Sequence, residues 1–296
     1  MLEFFCFLRF QPFCLIVLCV KHYVKGVRDT VQNLKLGFIG VGSMASAMLD
    51  ILLKKKVLPP KNLLLFDPDP SRLKSYADRG LQVAASNREL VEQSVLAVLA
   101  VKPQVLGAVL DEIRPVSAGG RFISIAAGVT TGYIKGKLDP SAQVVRVMPN
   151  TPLTLAAGAT AIAEEGAEEI LHITEYLFSY MGSVAFLPED KLNEVIGVSG
   201  SSPAFFFRMA HVMAAAAQEQ GISYDTALSL VAQTMAGSAQ MLLQDGRAPM
   251  SLVSMVASPG GTTEAALASL NHDGFDDALK NAMLRCTERA YELGNG

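Results

Sequence analysis

Between residues 36 and 148 the chain alternates short apolar runs with segments whose apolar residues recur at helical spacing. LGFIG, NLLLFD, LQVAA, SVLAVLAV, RFISIAA and AQVVRVM have the length and composition of strands. SMASAMLDILLKKK, SRLKSYADRG, NRELVEQ and QVLGAVLDEI read as helices, the second stopped by Gly80. SVLAVLAV is apolar throughout, as a strand covered on both faces would be. Strands separated by crossover helices predict a parallel, doubly wound sheet. Beyond about Asp190 the pattern changes to helices rich in Ala, Leu and Met: FFFRMAHVMAAAAQEQG, YDTALSLVAQTMAGSAQMLLQDG, TTEAALASL and FDDALKNAMLRCTERAYELG. Met241, Leu242 and Leu243 run consecutively, so that helix is apolar on more than one face and needs partners on several sides. Subunits are therefore expected to pack through this all-α region.

The first 33 residues do not join this pattern. FFCFLRFQPFCLIVLCV is interrupted by Arg9, Gln11 and Pro12, and the uninterrupted part is far short of the roughly 20 residues a membrane helix needs. A signal h-region is one reading. No small-x-small cleavage site follows, however, and Glu3 stands where basic residues are expected. An extension upstream of the working domain, either disordered or foreign to the native chain, fits better. Among 296 residues half are apolar, 18% are charged, and the formal net charge is -3 without any basic block. That excludes a nucleic-acid surface or a polybasic membrane anchor and leaves a small-molecule ligand. Cys6, Cys14, Cys19 and Cys286 form no Cys-x-x-Cys, and His22, His172, His211 and His272 are scattered. Neither a disulfide frame nor a metal site is expected, and the compartment is expected to be the reducing cytoplasm.

The chemistry begins at GFIGVGSMA. Gly40, Gly42 and Ala45 form a G-x-G-x-x-A pattern between a strand and a helix that opens with Ser43 and Met44. In that setting the first glycine permits a tight turn, the second lets backbone approach a pyrophosphate, and the helix N-terminus offers amides to the anion. The fold class expected is therefore α/β, an N-terminal Rossmann-type doubly wound sheet over 34–189, followed by an all-α C-terminal domain over 190–296 for substrate binding and oligomerisation. Asp67, at the end of the second strand, stands where a carboxylate takes the adenosine ribose hydroxyls. An ordinary turn aspartate of DPDP is an equal reading, and Arg72 stands where it would meet a 2′-phosphate instead. NADPH and NADH both remain open. AVKPQ, with Ala100, Lys102 and Pro103, follows the most buried strand, and AAGV, with Ala127 and Gly128, ends the next one with room for a flat nicotinamide. MPNTP closes another strand, so three turns point to one crevice at the carboxyl edge of the sheet.

GFIGVGSMA, LAVKPQ, SIAAGVTT, RVMPNTP, VSGSSPAFFF and SPGGTT at Ser258 to Thr263 together resemble the pyrroline-5-carboxylate reductase family, in order from about Leu34 to the C-terminus. The resemblance implies NAD(P)H-dependent reduction of the cyclic imine 1-pyrroline-5-carboxylate to L-proline, in a homodimer or higher oligomer. Read from its residues, SPGGTT is a turn with freely oriented amides followed by a helix N-terminus, suited to a carboxylate. The resemblance implies that Ser258, Gly260, Gly261, Thr262 and Thr263 hold the carboxylate of the imine, with the Thr263 hydroxyl beside the ring nitrogen. It also implies that Glu189 lies beside the substrate and that Asn87 and Lys102 contact the cofactor.

Two departures stand out. Ser202 replaces the second glycine of the family's S-G-S-G-P-A, which would be strained at positive φ, and Ala248 replaces the histidine often found before the proline preceding SPGGTT. Another two-domain dehydrogenase would be expected to carry a catalytic lysine in its helical domain, and no lysine lies between Lys191 and Lys280. A non-catalytic cofactor-binding homologue is the remaining alternative; the intact SPGGTT speaks against it and Ser202 for it.

Overall fold

The computed structural model describes Val27 and residues 30–294. The chain divides into two compact units, residues 1–192 and 193–296. Most of the extension expected over 1–33 lies outside the described residues. Val31 does not: it is fully buried beside Leu34 in the core of the first unit, so the packed structure begins earlier than Leu34.

The first unit is built on an eight-stranded sheet in the order β3-β2-β1-β4-β5-β6-β7-β8. β1 (Leu36–Ile39), β2 (Leu63–Phe66), β3 (Gln82–Val83), β4 (Leu96–Leu99), β5 (Arg121–Ser124) and β6 (Gln143–Met148) are parallel. The register pairs Phe38 with Leu65 on one side and with Val98 on the other. Successive strand residues point to opposite faces, and the core separates accordingly. Leu36, Phe38, Leu63, Leu65, Leu96, Val98, Ile123 and Val145 face one way, where α1 (Ser43–Lys54) and α2 (Ser71–Ala77) cover them. Ile39, Leu64, Ala97, Leu99, Phe122 and Val144 face the other, under α3 (Asn87–Gln93), α4 (Pro103–Ile113) and α5 (Thr131–Lys137). Helices on both faces explain the uniformly apolar strands.

The sheet extends past the last strand expected from the sequence. A 3₁₀ turn over Thr151–Leu155 ends at Ala156, in the left-handed region at φ 57°, and sends β7 (Gly158–Ala163) back antiparallel to β6. α6 (Glu168–Ser179) then crosses to β8 (Gly182–Leu187), parallel to β7. α6 buries Ile170, Ile173, Leu177 and Phe178 on the face already covered by α1.

The second unit is all-helical among its described residues: α7 (Ser202–Glu219), α8 (Tyr224–Gln244), α9 (Pro249–Val256), α10 (Thr262–His272) and α11 (Phe275–Gly294). A π-helical turn, Ile196–Gly200, leads into α7 and rests on α11: a Cβ at Gly197 would lie 3.2 Å from the Met283 carbonyl oxygen. Ser202 carries no positive φ. It is the first residue of α7, and its hydroxyl donates to the Val198 carbonyl at 2.7 Å, so the replacement of glycine brings no backbone strain. α9, absent from the sequence reading, starts with Pro249 at its first position, where a missing N–H costs nothing. Few side chains in this unit are fully buried, whereas Phe207, Leu230, Leu243 and Met250 are largely exposed.

Candidate active site

Parallel strands bring their carboxyl ends to one edge, and the glycine turn sits there. Gly40 has φ 90°, its amide donates to the Phe66 carbonyl at 2.8 Å, and a Cβ on it would meet Val101 Cγ1 at 2.8 Å. Only glycine fits between these neighbours. Gly42 is different: its φ is an ordinary -77°, and a Cβ there would meet nothing within 4 Å. The space above Gly42 is an open cradle that any side chain would begin to fill. Gly42 is also the N-cap of α1 and brings no side-chain cap, so the opening amides at Ser43 and Met44 are offered outward. Ala45, fully buried, lets α1 lie close on β1. These residues fit the diphosphate of a dinucleotide.

Asp67 lies just past β2 and is buried, 6% exposed. One carboxylate oxygen accepts the Val41 amide of the glycine turn at 2.8 Å, and the other accepts the Asp69 amide at 3.0 Å. Asp67 thus holds the glycine turn in shape. Arg72 spans both acids, 3.5 Å from Asp67 and 3.4 Å from Asp69, and remains half exposed. The Ser71 hydroxyl and amide, with Arg72 beside them, hold the Asp69 carboxyl below the usual carboxylate range. Asn87, the first residue of α3, is buried, and its side-chain amide donates to Glu112 at 2.8 Å.

Ala100 continues β4, its amide bonded to the Ile39 carbonyl at 2.9 Å, and it packs against the Gly40 turn. Lys102 is the exposed N-cap of α4 and Pro103 its first residue. After β5, the Ser124 hydroxyl accepts the Ala126 amide at 3.4 Å; Ala127 is half-buried and Gly128 turns at φ 79°. Thr130 then caps α5 through its hydroxyl. The glycine turn and the loops after β4 and β5 are therefore neighbours on one rim, as the strand order requires.

Glu189 stands after β8, in the same unit. Its carboxylate accepts the Thr131 amide at 2.6 Å and the Thr131 hydroxyl, and it lies 4.0 Å from Arg146 of β6. Arg146 is 2% exposed. The sequence reading passed over Arg146 and Thr131, although an arginine inside the apolar run QVVRVM is a visible sign of a buried, paired charge.

In the second unit, SPGGTT folds as a β-turn running into α10. The Gly261 amide donates to the Ser258 carbonyl at 3.0 Å, with Pro259 and Gly260 at the corners and Gly260 at φ 70°. That is the residue pattern of a type II turn. Glu264, three residues past the N-cap Gly261, reaches back beyond it to accept the Gly260 amide at 2.7 Å. The glycine amides are thus not freely oriented, as the sequence suggested, because the turn and Glu264 engage both. The amides and hydroxyls of Thr262 and Thr263, which open α10 without a side-chain cap, are the donors left for an anion. Among the described residues, no group of three His, Cys, Asp or Glu is placed to hold a metal, and no helix is long and apolar enough to cross a membrane.

A glycine cradle on a doubly wound sheet, joined to an all-helical unit with an anion-suited helix start, defines a two-unit nucleotide-dependent oxidoreductase. Residues 189–293 match the family model described as pyrroline-5-carboxylate reductase dimerisation, and residues 35–128 match that of the NADP oxidoreductases, coenzyme F420-dependent. The chain is 38% identical to a pyrroline-5-carboxylate reductase of Methanosarcina acetivorans, over 89% of its own length and 99% of that protein's. It is 35% identical to that of Escherichia coli, over 88% and 98%. The chain belongs to the pyrroline-5-carboxylate reductase family. Its structure is similar to that of the Coxiella burnetii enzyme, with a TM-score of 0.81 and 30% identity over 88% of this chain and 98% of the other. It is similar also to the NADP-bound pyrroline carboxylate reductase of Plasmodium falciparum, with a TM-score of 0.80 and 27% identity over 89% and 99%.

Proposed function

We propose that the protein reduces 1-pyrroline-5-carboxylate to L-proline, the last step of proline biosynthesis, with NADH or NADPH. The observation that carries this reading is the open space above Gly42 at an uncapped helix start, in a chain that keeps SPGGTT in its second unit. When bound, NAD(P)H supplies the hydride that the imine carbon accepts. The ring nitrogen takes one proton, so imine, reduced cofactor and proton give proline and oxidised cofactor.

The chain's own tasks are binding, alignment and exclusion of water. Gly42, Ser43 and Met44 receive the diphosphate. Asp67 and Arg72 flank the adenosine ribose, Asn87, Ala100, Lys102 and Pro103 line the nucleotide, and Ala127 and Gly128 leave room for the nicotinamide. Thr262 and Thr263 hold the substrate carboxylate by their amides, Ser258, Gly260 and Gly261 shape that turn, and the Thr263 hydroxyl stands by the ring nitrogen, where it helps deliver the proton. An iminium carbon accepts hydride readily, so no strong side-chain base is needed. The protein acts as a homodimer or higher oligomer through its helical unit, a reading supported by the match to the dimerisation model and by exposed Phe207, Leu230 and Leu243. A cytoplasmic location is supported by the sparse cysteines.

The test is turnover of 1-pyrroline-5-carboxylate by the purified chain, with loss of NADH and of NADPH followed separately and L-proline measured as the product. Tight cofactor binding with no turnover on either cofactor would identify a non-catalytic homologue instead.

A further inference from the structure

Glu189 is the point at which the second half of the sheet takes hold of the loop after β5. Both of its carboxylate oxygens are engaged inside the first unit: one by the Thr131 amide at 2.6 Å, the other by the Thr131 hydroxyl. Arg146 supports it from β6, its side chain 3% exposed and its guanidinium 4.0 Å away. The Glu189 backbone is held as well, its amide donating to both carboxylate oxygens of Glu165 at 2.9 and 3.1 Å. Thr131 is the first residue of α5, so its amide has no partner within the helix and needs one from outside.

The near end of the same loop is fixed by the sheet, through the Ile125 amide on the Leu99 carbonyl at 3.2 Å and the Ser124 hydroxyl under the Ala126 amide. Between these anchors Ala126 to Thr130 spans a short arc with small side chains and the positive φ of Gly128. Without Glu189 the far end would keep the Thr130 cap of its own helix and the burial of Val129, but no polar tie to the second half of the sheet.

We propose that Glu189 is a positioning residue. With Arg146 behind it, it pins Thr131 and so sets the height of the Ala126–Thr130 loop beneath the nicotinamide, and it makes no contact with the substrate. The inference rests on the reading of that loop as the nicotinamide seat. Each carboxylate oxygen of Glu189 already accepts a hydrogen bond from Thr131, and the buried Arg146 guanidinium stands behind them, so the group is oriented toward the α5 start, and removing it would leave the Thr131 amide and a buried arginine short of an acceptor.

The experiment compares wild type with Glu189→Ala, Glu189→Gln and Thr131→Val. Affinities for NADH, NADPH and ADP are measured by fluorescence or calorimetry, and KM and kcat for 1-pyrroline-5-carboxylate by assay. ADP lacks the nicotinamide half and reports whether the nucleotide cradle is intact. Glu189→Ala is expected to weaken NADH and NADPH by about tenfold, with ADP affinity and the KM for the imine within about twofold of wild type. Glu189→Gln keeps an acceptor for the Thr131 amide and is expected to restore most of the loss. Thr131→Val preserves shape and amide while removing the hydroxyl; it is expected to cost about threefold, and it reads the same contact should Glu189→Ala fail to fold. Unchanged cofactor affinity in Glu189→Ala and Thr131→Val, or a KM for the imine raised tenfold in Glu189→Gln with cofactor affinity intact, overturns the positioning role alone. A wild-type chain that binds neither NADH nor NADPH overturns the cofactor reading and this inference together.

Discussion

Two glycines, Gly40 and Gly42, are required in the same turn for opposite reasons. Gly40 is needed by the fold: at φ 90° and 2.8 Å from Val101 Cγ1, an added methyl has neither the backbone nor the room. Gly40→Ala is expected to lower stability by about 1–3 kcal/mol or more, read from the denaturant midpoint. Gly42 is needed by the ligand. Gly42→Ala should leave stability within about 0.5 kcal/mol of wild type, because nothing lies within 4 Å of the new Cβ. It should weaken NAD(P)H at least about tenfold, near 1.4 kcal/mol, by filling the cradle. Equal losses of stability in the two variants would contradict this division. Thr263 is tested differently. Thr263→Ala removes a hydroxyl from the start of α10 and is expected to reduce turnover with little change in cofactor affinity; unchanged turnover would remove Thr263 from the proton delivery.

Helix starts differ in how well their sequences end the chain's approach. α3 and α5 are capped by the hydroxyls of Ser86 and Thr130, and α8 by Ser223. α9 begins at Ala248, which offers no side-chain acceptor, although Pro249 follows in the favoured first position. Ala248→Ser is expected to stabilise the protein by about 1 kcal/mol, seen as a raised unfolding midpoint with unchanged cooperativity. The strands illustrate the other side of element formation. β4 could be read from SVLAVLAV because a strand covered on both faces is apolar throughout. β7 and β8 could not, since GATAIA and GSVAFL carry small residues of weak strand preference and owe their pairing to one another and to β6. Likewise the sequence reading found neither the contact of Glu264 with the Gly260 amide nor the hold of Glu189 on Thr131, 58 residues away.

For the molecule as a whole, the two units bury their residues unequally. The sheet unit has two continuous apolar layers, and its fully buried Phe122 is expected to cost about 3–5 kcal/mol as Phe122→Ala. The helical unit leaves Phe207 68% and Leu243 86% exposed. Surface of that kind is what an oligomer interface covers. Light scattering after size exclusion is expected to show a dimer or larger assembly, and Phe207→Glu or Leu243→Glu is expected to shift it toward monomer. A monomeric wild-type chain at micromolar concentration would contradict the oligomer.

By itself the sequence determined the parallel sheet, the glycine turn, the helical second unit and the family, because each is written in local spacing: period, turn residues and short strings of neighbours. Tertiary structure alone decided that Val31 belongs to the core, that two further strands extend the sheet, that Asp67 spends its carboxylate on the Val41 amide, and that Glu189 holds Thr131. These depend on which distant apolar faces meet and which distant backbone donors need a partner, and both are settled only when the chain has closed on itself.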